Sequence, residues 1–157
     1  MTLSLVRVDD RLIHGQVVVG WGHALGAKQL VLVDDEVSAN EWERDIYRVG
    51  VPPDMTIEFL SVEQAARRVS DWEASSKRTI VVLGDVAAVV RLCELAPHVK
   101  RVNLGGIHPA PGRRQRLPYV FMSDDELSAL TALAARGVDI TAQDVPTARA
   151  VPLRELA

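Results

Sequence analysis

The chain has 157 residues, 48% of them apolar and 25% charged, with a formal net charge of −3. That length suits one domain with a core of its own, and the composition is that of an ordinary globular protein, neither disordered nor fibrous. The slight acidic balance argues against nucleic acid as a main partner, the longest basic run being Gly112-Arg113-Arg114-Gln115-Arg116.

An apolar run from Leu3 to Val8 predicts a first strand, and Val17, Val18, Trp21 and Leu25 have helical spacing. Gln29 to Val33 is a continuous apolar run that suits a parallel strand buried on both faces. It ends in Asp34-Asp35-Glu36, an expected helix-start cluster or simply solvated charge. Ser38 or Asn40 then caps a second helix through about Val49, with Trp42, Ile46 and Val49 on one side. Gly50-Val51-Pro52-Pro53-Asp54 breaks it. Thr56 to Leu60 is a third strand, followed by a capping-box start at Ser61 and Gln64 for a helix to about Ser75.

Thr79 to Leu83 is a fourth strand, and Gly84-Asp85 opens a helix that ends before Pro97. The single cysteine, Cys93, lies in that helix, so no internal disulfide forms and a buried structural thiol is expected. Val99 to Leu104 is a fifth strand, closed by Gly105-Gly106, and Ile107 to Gly112 is loop. Leu117 to Phe121 predicts a short edge strand because of Pro118. Ser123 caps a helix to about Arg136, Val138 to Ala142 is the last strand, and Val145-Pro146 leads into a short tail. This alternation predicts a three-layer α/β fold: an open, mostly parallel twisted sheet of about six to seven strands with helices on both faces. No apolar span reaches membrane length and no signal-peptide pattern precedes the first strand, so a cytoplasmic protein is expected.

The turn from Val8 to Val17 joins the first strand to the first helix, at the carboxyl edge where open α/β sheets hold their sites. Within it, His14 and Gly15 stand at the start of a helix, whose unpaired amides favour an anion such as phosphate. Arg11 brings a planar guanidinium able to grip a phosphoryl group through two parallel hydrogen bonds. These three suggest a histidine that carries phosphate; a capping or surface histidine is the plainer alternative. Other nucleotide and catalytic signatures fail. Gly22 to Lys28 lacks phosphate-loop spacing, Gly20-Trp21-Gly22 lacks the third glycine of a dinucleotide fingerprint, and no serine-hydrolase elbow exists. His14 and His23 lack zinc-ligand spacing, so neither a metal nor another cofactor is expected.

Asp9-Asp10-Arg11-Leu12-Ile13-His14-Gly15-Gln16 closely resembles the active-site motif of the enzyme IIB components of the mannose/fructose/sorbose family of the bacterial sugar phosphotransferase system. Val33 to Val37, Asn103 to His108, and Gly137-Val138 followed by Val145-Pro146 fall where that family has comparable segments. The resemblance therefore covers the chain, 1–157, as a single IIB domain. It implies that His14 is a covalent phosphocarrier, loaded by a phosphorylated IIA protein and unloaded onto a sugar that enters through membrane IIC and IID components. These would hold the cytoplasmic protein at the inner membrane face.

The resemblance makes Arg11 the group that steadies the transferred phosphoryl, and it implies Nδ1 as the phosphorylated nitrogen. Asp9 and Asp10 are awkward beside a dianion; each either holds Arg11, the turn or the imidazole, or merely ends the strand. Gly15 and Gln16 complete the expected phosphate-binding turn, joined by Gly84 and Asp85, whose amides open a helix after the fourth strand. Gly105, Gly106, His108 and Arg113 are candidates for the rim that meets a partner. A homodimer is left open. Two other classes remain beside the transporter component. One is a IIB-like regulator whose His14 phosphorylation signals to a partner, the other a small-molecule binding module with an unused histidine.

Overall fold

Runs of four consecutive apolar residues without a polar face require cover on both sides, and two such runs lie side by side in the middle of the sheet. In the computed structural model, which describes residues 3–157 apart from the side chains of Leu3, Ser4 and Gln16, β2 (Gln29–Val33) and β4 (Thr79–Leu83) are buried at every position. They pair in parallel, Gln29 with Thr79 through Val33 with Leu83. β1 (Leu3–Val8) lies between β4 and β5 (Arg101–Leu104). With β3 (Thr56–Leu60) outside β2, and β8 (Asp139–Ala142) and β9 (Val151–Pro152) outside β5, the described residues form a seven-stranded sheet of order β3-β2-β4-β1-β5-β8-β9. Only β9 runs antiparallel to its neighbour. The mostly parallel α/β sheet read from the alternating runs is the one observed.

One face of the sheet is covered by α4 (Val62–Ala74), α5 (Val86–Leu95) and α6 (Asp124–Ala135), whose Trp72, Leu92 and Leu130 join the main core. Each helix begins at a residue that accepts its orphan amides. Ser61 and Ser123 form reciprocal capping boxes with Gln64 and Glu126, and Asp85 accepts from the Ala88 amide. Cys93 is buried in this core, and burial pushes its thiol up to about 11, leaving it inert near neutrality. On the opposite face the chain after β1 forms a π-helical segment, Gln16–Trp21, that runs into α1 (Gly22–Leu25). Val17, Val18 and Trp21 pack there on Leu30, Ile80 and Val82. Among the described residues no helix is long and apolar enough to cross a membrane.

Three local details depart from the sequence reading. Leu117 to Phe121 is not one edge strand: β6 (Arg114–Leu117) and β7 (Val120–Met122) form a separate antiparallel hairpin, turned at Pro118 and Tyr119. Proline suits the turn because it has no amide to give to a ladder. The chain also does not end its sheet at β8. It returns as the two-residue β9 and a 3-10 turn, Leu153–Leu156, that buries Leu153 and Leu156, a strand too short to show a pattern of its own.

The third departure concerns the region after β2. A short helix α2 (Asp35–Ser38), capped by Asp34, precedes α3 (Glu41–Val49), capped by Asn40. Trp42, Ile46 and Val49 do share one side of α3, but that side is exposed, and Tyr47 packs against the small cluster of Leu12, Leu32 and Val37 instead.

Candidate active site

β1 ends at the carboxyl edge of the sheet with strands on both sides, and its backbone stays paired for two residues more. The Asp9 amide donates to the Leu83 carbonyl at 2.9 Å, the Asp10 amide to the Gly106 carbonyl at 2.9 Å, and the Gly105 amide to the Val8 carbonyl at 2.7 Å. The chain then reverses. The Leu12 amide donates to the Asp9 carbonyl at 3.0 Å, and Leu12 takes φ of +61°, alone among the described non-glycine residues in the left-handed region. A leucine there is strained by about 1–2 kcal/mol. Burial of its side chain against Leu32 and Val37 offsets that strain. The reversal brings His14 back onto Asp9, with Nε2 3.2 Å from Asp9 Oδ2.

Asp9 is the hub. Its carboxylate is buried and takes Arg11 as a fork, Nε to Oδ1 at 3.0 Å and Nη2 to Oδ2 at 2.9 Å, while the Arg11 amide donates to Oδ1 at 3.1 Å. From below, the Arg7 guanidinium donates to Oδ2 from Nε at 3.3 Å and Nη2 at 3.2 Å. Burial by itself would raise the Asp9 carboxyl. The close approach of His14, the hydrogen bonds of Arg11 and the charge of Arg7 outweigh it and hold the group well below the usual carboxylate range. Asp9 is therefore ionised, and the same hydrogen bond raises Arg11.

Arg7 is fully buried, and burial lowers it against the pull of Asp9. Its remaining donors are spent on the side-chain oxygen of Asn103 and on the carbonyls of Gln143 at 2.8 Å and Asp144 at 2.9 Å. The Trp21 ring lies 5.1 Å from its guanidinium carbon and donates its own Nε1 proton to the Asp144 carbonyl at 3.2 Å. A cation with this many fixed partners is a support and not a ligand. Asp144 also sends a carboxylate oxygen to 3.7 Å from Arg11 Nη2.

The other residues named from the sequence are divided among several places. Gly105 and Gly106 pack directly on the cations: a Cβ at Gly105 would collide with Arg7 and stand 2.6 Å from Asp9 Oδ2, and one at Gly106 would stand 2.9 Å from Arg11 Nε. Asp10 points the other way. Its carboxylate accepts from the His108 amide at 2.7 Å and pairs with His108 Nδ1. Arg113 donates to the His108 carbonyl at 2.9 Å and forks onto Glu126, so this group ties the 107–113 loop to the turn that carries His14.

Gly84 and Asp85 stand apart from the His14 cluster. Leu12 Cδ2 lies 3.2 Å from where a Gly84 Cβ would be, Asp85 is committed to capping α5, and both border a neighbouring cleft with Asp34, Asp35, Glu36 and Arg91. Gly15 is open: beyond its chain neighbours and the adjoining helical backbone, nothing lies within 4 Å of where a Cβ would stand. Gln16 begins the π-helical segment, and its side chain lies outside the described residues.

Arg7, Asn103, Gln143 and Asp144 belong to the cluster and have no counterpart in the sequence reading. The signal for Arg7 was a lone cation inside a strand flanked on both sides, where charge is tolerated only with a buried partner. Chemically, a buried carboxylate 3.2 Å from Nε2 favours a proton on that nitrogen, the tautomer in which Nδ1 carries the lone pair.

The chain is similar to known proteins along nearly its whole length. The family model for the PTS system sorbose subfamily IIB component matches residues 3–157. The chain is 31% identical to the N-acetylgalactosamine-specific phosphotransferase enzyme IIB component 1 of Escherichia coli K12, over 92% of this chain and 91% of that one. It is 29% identical to the mannose-specific EIIAB component of the same strain over 94% of this chain, and it spans 46%, about half, of that relative's length. Among solved structures, the IIBSor domain of the sorbose permease from Klebsiella pneumoniae superimposes with a TM-score of 0.88 at 25% identity, covering 99% of this chain and 96% of that one. The Escherichia coli N-acetylgalactosamine-specific IIB component 1 gives 0.86 at 29% identity, with 94% and 97% covered.

Proposed function

The chain belongs to the sorbose subfamily of IIB components of the sugar phosphotransferase system, and on that premise we propose that His14 is its phosphocarrier. In the first half-reaction the Nδ1 lone pair of His14 attacks the phosphorus of a phosphohistidine on a IIA protein. The new N–P bond forms as the old one breaks, and the bonding pair returns to the donor imidazole. In the second, a sugar hydroxyl presented by membrane IIC and IID components attacks the phosphorus on His14. The P–N bond breaks, and the hydroxyl proton is taken up at the histidine. The protein works in the cytoplasm, held at the membrane through those components.

The observation that carries this reading is the 3.2 Å approach of Asp9 Oδ2 to His14 Nε2. The Asp9 charge favours a proton on the far nitrogen and stabilises the imidazolium whenever charge develops on the ring. Phosphoryl transfer needs little covalent help beyond positioning and charge compensation, and Arg11 supplies the second by exchanging part of its fork from Asp9 to the incoming oxygens. Beside the turn, Gly15, Val19, Gly20, Val145 and Pro146 line a shallow apolar patch that suits docking of the IIA donor.

Incubation with phosphoenolpyruvate, the general phosphotransferase proteins and a cognate IIA, read by intact mass, tests the proposal. One phosphoryl group, labile in acid and stable in base, is expected on the wild type and none on His14→Ala. Incorporation at His23, His98 or His108 in the absence of His14 overturns it.

A further inference from the structure

α3 is amphipathic in the sense opposite to that of a core helix. Trp42, Ile46 and Val49 are 73%, 50% and 87% exposed. The contacts of the helix with the body are made by Tyr47, against Leu12, Leu32 and Val37, and by Arg48, whose guanidinium lies 5.3 Å from the Phe59 ring centroid. The exposed three stand at i, i+4 and i+7 and so form one stripe. Single exposed apolar residues are ordinary, but a continuous stripe headed by a tryptophan marks a contact surface. We propose that α3 is the interface between two copies of this chain, packed antiparallel about a twofold axis near Ile46.

The order of charges along the helix selects this occupant. Glu41, Asp45 and Arg48 are exposed and lie along the same flank of the stripe. Two antiparallel copies set Glu41 of each against Arg48 of the other, twice by symmetry, while Trp42 covers Val49 and Ile46 meets Ile46 across the axis. A parallel pair would instead set like charges against each other. Arg48 holds Asp45 of its own helix at 2.6 Å and lies half exposed beside the Phe59 ring, which fixes its head at the edge of the flank that Glu41 of the second copy would enter.

An anionic membrane surface fits poorly, because Glu41, Glu43 and Asp45 dominate the first two turns of the helix. The stripe is on the side of the helix away from Tyr47 and the Leu12, Leu32 and Val37 cluster, so pairing through it adds no contact to that cluster. A nine-residue helix is about 14 Å long. The interface is therefore small, below about 1,200 Å², and association is weak and concentration-dependent.

Sedimentation velocity on the full chain, from micromolar to millimolar concentration, reads the outcome. A monomer–dimer equilibrium is expected. Trp42→Glu should weaken it by roughly thirtyfold or more, the loss of a central aromatic anchor, without changing the melting temperature, since that side chain touches solvent. Glu41→Arg and Arg48→Glu should each be monomeric, and an equimolar mixture of the two should recover a mixed dimer, because both cross-axis pairs are then restored. A wild type that stays monomeric at millimolar concentration, whether or not it binds vesicles or other proteins, overturns the proposal. So does a dimer indifferent to Trp42→Glu, or a mixture that stays monomeric.

Discussion

Arg7 and Asp9 form an ion pair of 3.2 Å in which neither side chain reaches solvent. They are two residues apart on one side of an extended segment, so the strand's own period sets the cation beneath the carboxylate. Two charges taken out of water are stable only while each keeps its partners. The pair therefore acts as a platform: Arg7 holds Asp9 ionised, and Asp9 presents its oxygens upward to His14 and Arg11.

Removing the lower half of that platform should be costly. Arg7→Met keeps much of the side-chain volume but strips Asp9 of one cation and leaves the carbonyls of Gln143 and Asp144 without their donor. The expected loss is about 3 kcal/mol, at the low end for breaking a buried pair because Arg11 still contacts Asp9. Urea unfolding of the two proteins measures it, and a loss below about 0.5 kcal/mol would mean that Arg7 is an ordinary strand residue.

The pH dependence has a definite sign. Asp9 is held below its unfolded value, so its ionised form stabilises the native state above the unfolded carboxylate pKa, about 4. That contribution is lost as pH falls from there through the folded pKa. Stability should thus be flat from neutrality to about pH 4 as far as Asp9 is concerned, and decline below it. Asp9→Asn should be less stable at neutral pH and should show a shallower decline in acid; parallel wild-type and variant curves would assign the acid sensitivity to other carboxylates.

Arg11 is tested by its geometry and not by its charge. Lysine at position 11 keeps a cation near Asp9 but loses the planar fork. If the guanidinium grips the phosphoryl group in transit, Arg11→Lys should lose roughly ten- to a thousandfold in transfer rate from phospho-IIA. Binding to unphosphorylated IIA should change little. Transfer at the wild-type rate in physiological salt would reduce Arg11 to general positive potential.

The two adjacent glycines should fail differently. A methyl group at Gly105 meets Arg7 and Asp9, both buried and fixed, so Gly105→Ala should destabilise the fold. At Gly106 it meets the end of Arg11, whose side chain is partly exposed and can swing away. Gly106→Ala should therefore melt close to wild type while slowing phosphoryl transfer by roughly tenfold or more, the effect of misplacing one charge-stabilising group. Thermal melts and single-turnover transfer together separate the two outcomes.

Much of the fold was legible because its determinants are local. The capping boxes at Ser61 and Ser123 and the cap at Asp85 are satisfied within a few residues of themselves, and the runs of β2 and β4 carry their burial in their own composition. β9 and the β6–β7 hairpin were not legible as such: their strands run two to four residues, too short for a period to show. In the candidate site, the turn from Asp9 to Gln16 declared itself, but the separate tasks of the two aspartates did not. Asp9 turns inward to the cations and Asp10 outward to His108, 98 residues away.

By itself the sequence determined most of the longer strands and helices, and which short turn carries a histidine and an arginine together, since propensity, capping and spacing act over a few residues. Only the tertiary structure decided that Arg7 is a buried support, because its carbonyl partners arrive from 136 and 137 residues further along the chain. It likewise decided that the apolar stripe of α3 faces solvent. A stripe specifies that a helix has two faces, and which of them meets the sheet depends on what the neighbouring strands already cover: here Tyr47 fills the place over Leu32, and Trp42 is left outside.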